Sequence, residues 1–463
     1  MNQGKDRFPG LKSFEKNDAD LFFGRDAEII RLAKMIVHNR VNLVYGSSGV
    51  GKSSLLNTIF RKSAMLSEYI PIRIRLSPQH LSNLESDTIL PHLRIIKGRL
   101  AKKLKPHGID LLSDLPEEHE NTFKLWDYLK HAENKLIEKK TGKIIVLIFD
   151  QFEELFTYFK EDTNEFVQQL SEVTHDLLPL RILKDARSMS LTDRHAAKPN
   201  YFVQPTVRIL FSIRSDKYYL LKDIAAYLPN LYDNQLELKL FTPDSATQAI
   251  LGPCRLSNND LIFNSPPIQI APEVINAIVS SLCDIRGIDL SFLQIICYYI
   301  EDAVKNKIPS ADHPADPLLL TEPFPFTEEI FKNEIQIDFI LDSFYTIQLN
   351  KIEDPHKRSL VQHALEDELV SGGQRTILVE NQFREAIGND DDLISFLQNS
   401  RLIRTEYTPD GRKTFELSHD KLIASVQKSK TMRLGQETLE KEALEARIRY
   451  YEQVKRFEAE EKL

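Results

Sequence analysis

The sequence predicts an α/β fold with a mainly parallel sheet, followed by a helical domain and a winged-helix domain. Between residues 22 and 220, apolar strand-like runs alternate with helical stretches, which is the pattern of a parallel sheet covered by helices. After Phe241 the pattern is helix after helix. Near the C-terminus, a helix over Leu393–Asn399 precedes two strand-like runs that flank Pro409–Gly411, as expected of a winged helix.

Four runs are candidate strands of the parallel sheet. Each is rich in β-branched residues and bounded by glycine, proline or polar residues, as buried parallel strands are. They are Val41–Tyr45, Tyr69–Arg75, Ile144–Phe149 and Val207–Ile213. The stretch from Ser77 to Lys143 is longer than one crossover needs, so we expect a helical insertion there. Leu183–Asn200 is polar with mixed charge, and we expect a mobile loop.

These patterns divide the chain into four parts. Thr242-Pro243-Asp244 is a helix start signal after the α/β part, and the proline-rich segment Pro309–Phe326 ends the helical part. The last part is a charged helix with weak apolar spacing, and it is too short to establish a coiled coil, for which about three heptads are wanted. The expected domains are 1–240 for the nucleotide-binding domain, with an insertion at about 77–143, 241–326 for the helical domain and linker, 327–428 for the winged helix, and 429–463 for the C-terminal helix.

Composition indicates an intracellular protein without a membrane span. With 463 residues and 42% hydrophobic content, the chain can bury several cores. The three cysteines are widely spaced without a metal-ligand pattern, which favours a reducing compartment. No run reaches the roughly 18 apolar residues of a membrane span, and the polar N-terminus lacks the apolar core of a signal peptide. We therefore expect a soluble, cytoplasmic protein.

The net charge argues against broad attraction to nucleic acid. The formal charge is −8 at pH 7, so the protein as a whole repels a phosphate backbone. One basic patch interleaves with apolar residues at helical spacing. We favour the solvated face of an amphipathic helix over a nucleic-acid site. The basic residues are Arg94, Lys97, Arg99, Lys102, Lys103 and Lys105.

The strongest motif follows the first candidate strand. Residues 46–53 read G-S-S-G-V-G-K-S, with a buried strand before them and a helix-forming stretch after them. In this phosphate-binding pattern, glycines let backbone N–H groups surround a phosphate at a helix N-terminus. Lys52 can reach the β- and γ-phosphates, and Ser53 can ligate Mg²⁺. The expected nucleotide-binding residues here are Gly46, Ser47, Ser48, Gly49, Val50, Gly51, Lys52, Ser53 and Ser54.

The third candidate strand delivers a carboxylate that fits the same site. Asp150 follows Ile144–Phe149 directly and therefore stands at the edge where open α/β sheets bind their ligands. There it can hold Mg²⁺, directly or through water, opposite Ser53. We thus expect Ser53 and Asp150 to be the metal residues, and the ligands to be ATP or ADP with Mg²⁺.

Two glutamates are candidates for the residue that activates water. Many P-loop ATPases carry a glutamate directly after the strand aspartate, where this chain has Gln151. Glu153 or Glu154 can orient or deprotonate the attacking water if the backbone turns there. Alternatively, both stabilise the start of a helix near Phe152, because the helix dipole favours acidic groups in a first turn. We favour a catalytic role for at least one of them and expect slow turnover.

Arg214 follows another buried strand. Because it stands after Val207–Ile213 at the phosphate edge of the sheet, its guanidinium can contact the γ-phosphate and distinguish triphosphate from diphosphate. A surface salt bridge to Asp216 is the alternative. We favour the phosphate role. The expected catalytic residues are thus Lys52, Asp150, Glu153, Glu154 and Arg214.

A turn with aromatic neighbours lies ahead of the phosphate-binding loop. The segment Phe22–Arg25 is close enough to the first strand to pack beside a base and offer it backbone hydrogen bonds. The same residues can equally form the ordinary turn that begins a helix. The candidate base-contacting residues are Phe23, Gly24 and Arg25.

In combination, these residues resemble the STAND class of signal-transduction NTPases, in particular the bacterial novel STAND NTPases. The resemblance rests on P-G-L-x-x-F at 9–14, F-F-G-R at 22–25, D-Q-F-E-E-L-F-T at 150–157 and I-R-S-D at 213–216. Leu417–Leu422 is similar to the histidine-acid motif that ends the winged helix in such switches. The resemblance spans about residues 8 to 427.

The resemblance implies a nucleotide-binding, a helical and a winged-helix domain that close over ADP at rest. It implies that Lys52 and Ser53 bind phosphate and Mg²⁺, that Asp150 holds the metal, and that Arg214 senses the γ-phosphate. His419 would touch the ADP phosphate and stabilise the closed form, although a histidine there can also cap a helix. Relatives carry G-x-P beside the base, whereas this chain has Asp289 in place of the proline, which weakens the case for a base contact there.

The resemblance also bears on partners. Relatives usually continue into sensor repeats or carry an effector domain, and neither pattern is found here. We therefore expect a separate protein as effector or sensor, or partner recognition by the insertions at Ser77–Lys143 and Leu183–Asn200.

The leading hypothesis is an ATP-driven molecular switch. Triphosphate would favour an open, self-associating form and diphosphate a closed monomer, and adenine is the favoured base. The family resemblance alone implies a setting in bacterial conflict or antiviral defence. One alternative is a DNA-loading or transposition ATPase whose winged helix reads a duplex, which the acidic run Asp390–Asp392 disfavours. Another is a nucleotide-binding scaffold without useful hydrolysis.

Overall fold

The computed structural model describes most of the chain. The chain forms two compact units. The first ends at Ile335, and the second comprises the described residues after Ile335. The described residues are 5–10, 12–47, 49–76, 91–111, 123–158, 160–188, 202–257, 263–284, 287–307, 322–335, 337–400, 402–407, 412–418 and 422–460.

A five-stranded parallel sheet forms the centre of the first unit. Its strands are β1 (Val41–Gly46), β2 (Tyr69–Ile74), β3 (Ile144–Asp150), β4 (Arg208–Arg214) and β5 (Gln235–Glu237). Their order across the sheet is β2-β3-β4-β1-β5, and every neighbouring pair is parallel. The predicted α/β fold and its four strands are confirmed. Strand β5 is not predicted by the sequence, because its three residues are too few to show a recognisable pattern.

Helices cover both faces of this sheet. On one face, Leu43, Ile72 and Leu147 belong to one buried core. On the other, Val44 and Val146 belong to a second. Because alternate residues of each strand enter different cores, the strands need near-continuous apolar sequence. The helices of this part are α1 (Asp26–His38), α2 (Lys52–Lys62), α3 (Pro91–Leu104), α4 (Leu125–Glu138), α5 (Lys160–Thr174) and α6 (Leu180–Ser188).

Helices α3 and α6 occupy segments for which the sequence makes specific predictions. The basic segment forms the amphipathic helix α3, which buries Ile96, Leu100 and Leu104. The loop expected over 183–200 is wrong in its first part, because α6 extends to Ser188. Burial of Ile182 and ion pairs from Arg181 to α4 and α5 stabilise this short helix despite its polar composition. The rest of that stretch lies outside the described residues.

Helices and short strands follow the sheet. Thr242 accepts a hydrogen bond from the Ser245 N–H at the N-terminus of the first helix, as its sequence signal predicts. The elements here are α7 (Pro243–Cys254), β6 (Ile268–Ile270), α8 (Pro272–Leu282), β7 (Cys283–Asp284), β8 (Gly287–Ile288), α9 (Leu290–Lys307), β9 (Phe324–Phe326) and α10 (Glu328–Glu334). Strands β6 and β9 pair in parallel, and β7 and β8 form an antiparallel pair.

The second unit combines helices with small antiparallel sheets. Its elements are α11 (Ile337–Asn350), α12 (Pro355–His363), a π-helical turn over Ala364–Glu368, β10 (Val370–Ser371), β11 (Gln374–Arg375), β12 (Leu378–Val379), α13 (Glu380–Ala386), α14 (Asp391–Asn399), β13 (Ile403–Tyr407), β14 (Lys413–Leu417) and α15 (Leu422–Glu460). Strands β12, β14 and β13 form a three-stranded sheet in that order. The predicted helix and the two predicted strand runs are observed here.

The C-terminal helix α15 is longer than expected. It begins at Leu422, seven residues before the boundary placed at 429, because Leu422 and Val426 are buried in the second unit. Over the described ranges, no helix has the length and apolar content needed to cross a membrane.

Candidate phosphate and metal site

The phosphate-binding loop joins the end of β1 to the start of α2. Gly51 precedes α2 with a φ of +92°, a left-handed conformation that favours glycine. From that point the first-turn N–H groups of α2 are directed toward the loop, which makes the helix N-terminus suited to an anion. The predicted strand–loop–helix context is therefore present.

Lys52 is folded back along this loop. Its Nζ donates hydrogen bonds to the carbonyl oxygens of Gly46 at 2.7 Å and Ser47 at 2.8 Å. The ammonium charge is thus held over the loop, where a bound phosphate needs it. Ser48 lies outside the described residues.

Ser53 and Asp150 meet at the carboxyl edge of the sheet. The Ser53 hydroxyl donates to Oδ2 of Asp150 at 3.1 Å, with Ser53 in the first turn of α2 and Asp150 at the end of β3. A hydroxyl and a carboxylate are oxygen ligands of the kind that Mg²⁺ prefers. These two residues therefore fit a magnesium ion, and they could hold one between them.

Sequence reasoning missed two arginines at this site. Arg73 donates from Nε to Oδ2 of Asp150 at 3.1 Å and makes a second bond to the same oxygen, while Arg75 lies 3.4 Å from it. Burial opposes ionisation of Asp150, but the charges of Arg73 and Arg75 and the hydrogen bonds outweigh it, so the pKa of Asp150 is lowered. The sequence feature that could have indicated them is the presence of two arginines, two positions apart, at the carboxyl end of a predicted strand.

Strand β4 brings Arg214 to the same edge. It lies between β1 and β3, with Arg214 in register with Gly46, and Ser212 in register with Asp150. Arg214 is therefore level with the beginning of the phosphate-binding loop. The structure brings together the end of β1, the end of β3 and this arginine, as the sequence predicts.

The backbone turns sharply after Asp150. Gln151 has a φ of +57°, and a 3-10 helix then runs over Phe152–Thr157. Phe152 is buried, with its ring centroid 4.5 Å from that of Phe211, and so anchors the turn. Glu153 and Glu154 stand in the first turn, a position compatible with either role considered for them.

The two glutamates have different electrostatic neighbours. Burial raises the pKa of Glu153, against the opposing charges of Lys52 and Arg214. Burial raises the pKa of Glu154 to about 8, against the charge of Arg75. Glu153 is therefore influenced by the charges of Lys52 and Arg214, whereas Glu154 is influenced by the charge of Arg75, which follows β2.

The residues ahead of the loop pack into the protein. The Phe23 ring lies against Gly252, where an added Cβ would approach the ring to 2.2 Å, and below the ammonium of Lys62 at 4.4 Å. Gly24 has a φ of +82°, and an added Cβ would meet the Ser245 carbonyl oxygen at 2.4 Å. This turn therefore joins α2 to α7 by close packing.

Arg25 is buried beneath the loop. Its guanidinium donates to the carbonyl oxygens of Val50 at 3.1 Å and Lys239 at 2.6 Å, pairs with Glu28, and lies over the Phe241 ring at 4.3 Å. It thus links the phosphate-binding loop to the chain that leaves β5 for the helical part.

The start of α9 also approaches the loop. A Cβ added to Gly49 would lie 3.5 Å from Ser291 Oγ, and one added to Gly51 would lie 3.6 Å from Leu290 Cδ2. Asp289, at the position where the family resemblance led us to expect proline, accepts a hydrogen bond from the Ser291 N–H. The carboxylate thus has a local role at the start of this helix.

The Ser54 side chain, which the sequence predicts to bind nucleotide, is engaged elsewhere. The Ser54 hydroxyl accepts a hydrogen bond from the Phe14 N–H at 3.2 Å, so it faces the N-terminal segment. His419 lies outside the described residues.

Comparisons with solved structures give distant likenesses. The Walker-type ATPase PABY2304 of Pyrococcus abyssi is 14% identical, over 90% of this chain and 99% of that chain, with a TM-score of 0.42. The Aeropyrum pernix ORC1 protein in complex with DNA is 12% identical, over 93% and 100%, with a TM-score of 0.39. The ADP form of Aeropyrum pernix ORC2 is 12% identical, over 94% and 97%, with a TM-score of 0.40. No curated protein matches the chain.

Comparison with protein families gives a direct result. The family described as Novel STAND NTPase 1 matches residues 8–265, a region that contains the phosphate-binding loop, Asp150 and Arg214. Because this match spans more than half of the 463 residues, the chain belongs to the Novel STAND NTPase 1 family.

Proposed function

We propose that the chain is a nucleotide-controlled switch that binds ATP with Mg²⁺, hydrolyses it slowly and changes conformation or self-associates between its ADP and ATP forms. The observation that carries the proposal is the convergence of Lys52, Ser53, Asp150 and Arg214 at one edge of the parallel sheet. A nucleoside triphosphate with Mg²⁺ would use all four side chains: the Lys52 ammonium, the metal ligands Ser53 and Asp150, and the Arg214 guanidinium at the γ-phosphate.

Each group has a role in the proposed cycle. The N–H groups of the loop and Lys52 bind the β- and γ-phosphates, and Arg214 contacts the γ-phosphate. Ser53 and Asp150 hold Mg²⁺, which supplies positive charge to the phosphate oxygens when bound. Glu153 orients or deprotonates water, and its proximity to the charges of Lys52 and Arg214 supports this choice over Glu154. Gln151, in place of a glutamate, supports slow turnover.

Conformational coupling needs a difference in nucleotide affinity between two forms. In the proposal, Arg214 provides it by contacting the γ-phosphate only when ATP is bound. The hydrogen bonds of Arg25 to Val50 and Lys239, and the closeness of Ser291 to Gly49, support a route from the loop to the helical part. The N-terminal half of α9 would then move with the state of the loop.

The second unit enters the proposal as a winged-helix domain. Support comes from its order of elements, with β12, α13, α14 and the β13–β14 hairpin in succession and a sheet that pairs β14 with both other strands. By the family resemblance, His419 would contact the phosphates of ADP and favour a closed form. A DNA-reading role is not favoured, because Asp390 caps α14 and Asp391 and Asp392 occupy its first turn.

The biological setting proposed here is bacterial conflict or antiviral defence in the cytoplasm, with a separate protein as effector or sensor. It rests on the family resemblance alone. The test begins with mass spectrometry of nucleotide that co-purifies with the protein, followed by steady-state phosphate release from ATP. Stoichiometric ADP and slow, Lys52-dependent release would support the switch. A protein that neither retains adenine nucleotide nor binds it when added would refute it.

A further inference from the structure

One carboxylate oxygen of the candidate metal site is contacted by several hydrogen-bond donors. Oδ2 of Asp150 accepts hydrogen bonds from the Ser53 hydroxyl at 3.1 Å and Arg73 Nε at 3.1 Å, with a further Arg73 nitrogen in contact and Arg75 at 3.4 Å. The oxygen suited to Mg²⁺ is therefore the same one on which the arginine charges converge.

Arg73 is held in place at its other end as well. A guanidinium nitrogen of Arg73 donates to Oδ1 of Asn57 on α2, and the Asn57 amide in turn donates to the Phe14 carbonyl oxygen at 2.9 Å. Arg75 differs, because its side chain is 44% exposed and its contact with Asp150 is longer. Arg73 is thus the fixed cation of the pair, and Arg75 is the peripheral one.

We propose that Arg73 is a positioning residue that supplies positive charge to Asp150 when Mg²⁺ is absent and thereby makes nucleotide binding nearly independent of the metal. The inference rests on the nucleotide-binding part of the proposed function. It concerns how that site tolerates loss of Mg²⁺, which neither the motif nor the family match addresses.

The physical reason is electrostatic. A buried, ionised carboxylate next to nucleotide phosphates repels them, and a cation on the carboxylate offsets that repulsion. With Arg73 in place, the negative charge of Asp150 is offset, so ADP without Mg²⁺ can bind beside it with less repulsion. The same guanidinium repels a Mg²⁺ ion that would bind between Ser53 and Asp150, so it lowers the affinity of the site for Mg²⁺. Removing the charge should therefore weaken metal-free ADP binding and strengthen Mg²⁺ binding together.

Both effects change one measurable quantity in the same direction. That quantity is the ratio of the ADP dissociation constant in EDTA to the constant in excess Mg²⁺, measured with a fluorescent ADP analogue. For Arg73→Gln we expect the ratio to rise about tenfold or more over the wild type. For Arg73→Lys, which keeps the charge but loses the planar fork, we expect a smaller rise. Arg61→Gln, which removes an exposed charge from the last turn of α2, should leave the ratio unchanged.

A purely structural role for Arg73 gives a different pattern. Misplacement of Asp150 would weaken binding in Mg²⁺ at least as much as in EDTA, so the ratio would stay constant or fall, and that result overturns the inference. If Arg73→Gln does not fold, Arg73→Met, which removes the charge but keeps an unbranched side chain, decides the matter: a rise in the ratio supports the inference and an unchanged ratio overturns it.

The same titration separates this inference from the proposed function. If the wild type binds no ADP under either condition, the proposed function fails and the inference fails with it. If the wild type binds ADP but the ratio does not respond to Arg73→Gln, only the inference fails.

Discussion

The hydroxyl of Ser53 lies 3.1 Å from Oδ2 of Asp150, although 97 positions separate the two residues in the sequence. The contact exists because the N-terminus of α2 and the C-terminus of β3 end at the same edge of a parallel sheet. Asp150 is buried there, and its charge is offset by Arg73 and Arg75.

Asp150→Asn should separate hydrolysis from binding. The amide keeps the shape of the side chain but is a much poorer metal ligand, so we expect Mg²⁺-dependent phosphate release to fall by about 100-fold or more. ADP binding measured in EDTA should persist. Asp244→Asn, at an exposed position of α7, is the matched control. Wild-type rates of phosphate release in Asp150→Asn would remove Asp150 from the metal site.

Lys52→Ala should abolish nucleotide retention. The variant loses the only ammonium that bonds to the carbonyl oxygens of Gly46 and Ser47 among the described residues. We expect the dissociation constants for ADP and ATP to rise about 100-fold, because a charge-assisted contact to the phosphates is removed. Calorimetry with Lys34→Ala, an exposed position on α1, provides the comparison. Affinities within a factor of two of the wild type would show that Lys52 is dispensable.

The two acidic residues after β3 should respond differently to neutralisation. Glu153 shares its surroundings with Lys52 and Arg214, whereas Glu154 faces Arg75. We therefore expect Glu153→Gln to reduce steady-state phosphate release by about 100-fold, in the range that removal of a general base gives. Glu154→Gln should reduce it by less than about tenfold, and Glu161→Gln on α5 should have no effect. A larger loss of phosphate release in Glu154→Gln than in Glu153→Gln would indicate that Glu154 activates the water.

Arg25→Ala should destabilise the first unit. The substitution leaves the carbonyl oxygens of Val50 and Lys239 without this donor and removes a partly buried ion pair with Glu28. We expect the free energy of unfolding to fall by about 3 kcal/mol, the scale for loss of one partner of a buried charged network. The single tryptophan, Trp126, is buried in this unit and reports its denaturant unfolding by fluorescence. Arg31→Ala, at an exposed position of α1, is the control. An equal loss of free energy of unfolding in both variants would contradict the stabilising role of Arg25.

His92 should make the stability of the first unit depend on pH. The imidazole is buried between the rings of Tyr158 and Phe166, and burial lowers its pKa to about 4. An unfolded histidine binds a proton below about pH 6.5, while the folded one does so only near pH 4. The unfolded state therefore binds more protons in this window, and stability decreases as the pH falls through it.

The expected loss between pH 6.5 and pH 4 is roughly 3 kcal/mol from this residue. Replacing it, as His92→Phe, should remove that part of the pH dependence while the remaining acid sensitivity persists. Unfolding followed by Trp126 fluorescence at several pH values gives the difference directly. Parallel stability curves for the wild type and His92→Phe would contradict this prediction, because they would mean that the folded and unfolded imidazole have the same pKa.

Local patterns predicted the parts of the site that depend on adjacent residues. The glycines around Lys52 require a strand before them and a helix after them, so the loop was recognisable without knowledge of the rest of the chain. The ends of β3 and β4 were recognisable because a charged residue after an apolar run in a parallel sheet must lie at its carboxyl edge.

Contacts between distant segments could not be read in this way. Arg73 and Arg75 look like solvent-facing residues of an alternating strand, and only the pairing of β2 with β3 brings them to Asp150. Arg25 likewise stands in a turn that suggested a base contact, and its bonds to Val50 and Lys239 depend on how the chain returns after β5. The helix α6 was missed because Ile182 and the ion pairs of Arg181 stabilise it by tertiary contacts.

The most direct test of a nucleotide-controlled switch is sedimentation velocity of the full chain with ADP and with a non-hydrolysable ATP analogue. We predict a compact monomer with ADP and a larger or more extended species with the analogue, and no such difference for Lys52→Ala. Identical sedimentation of the wild type under both conditions, at concentrations that saturate each nucleotide, would contradict the account.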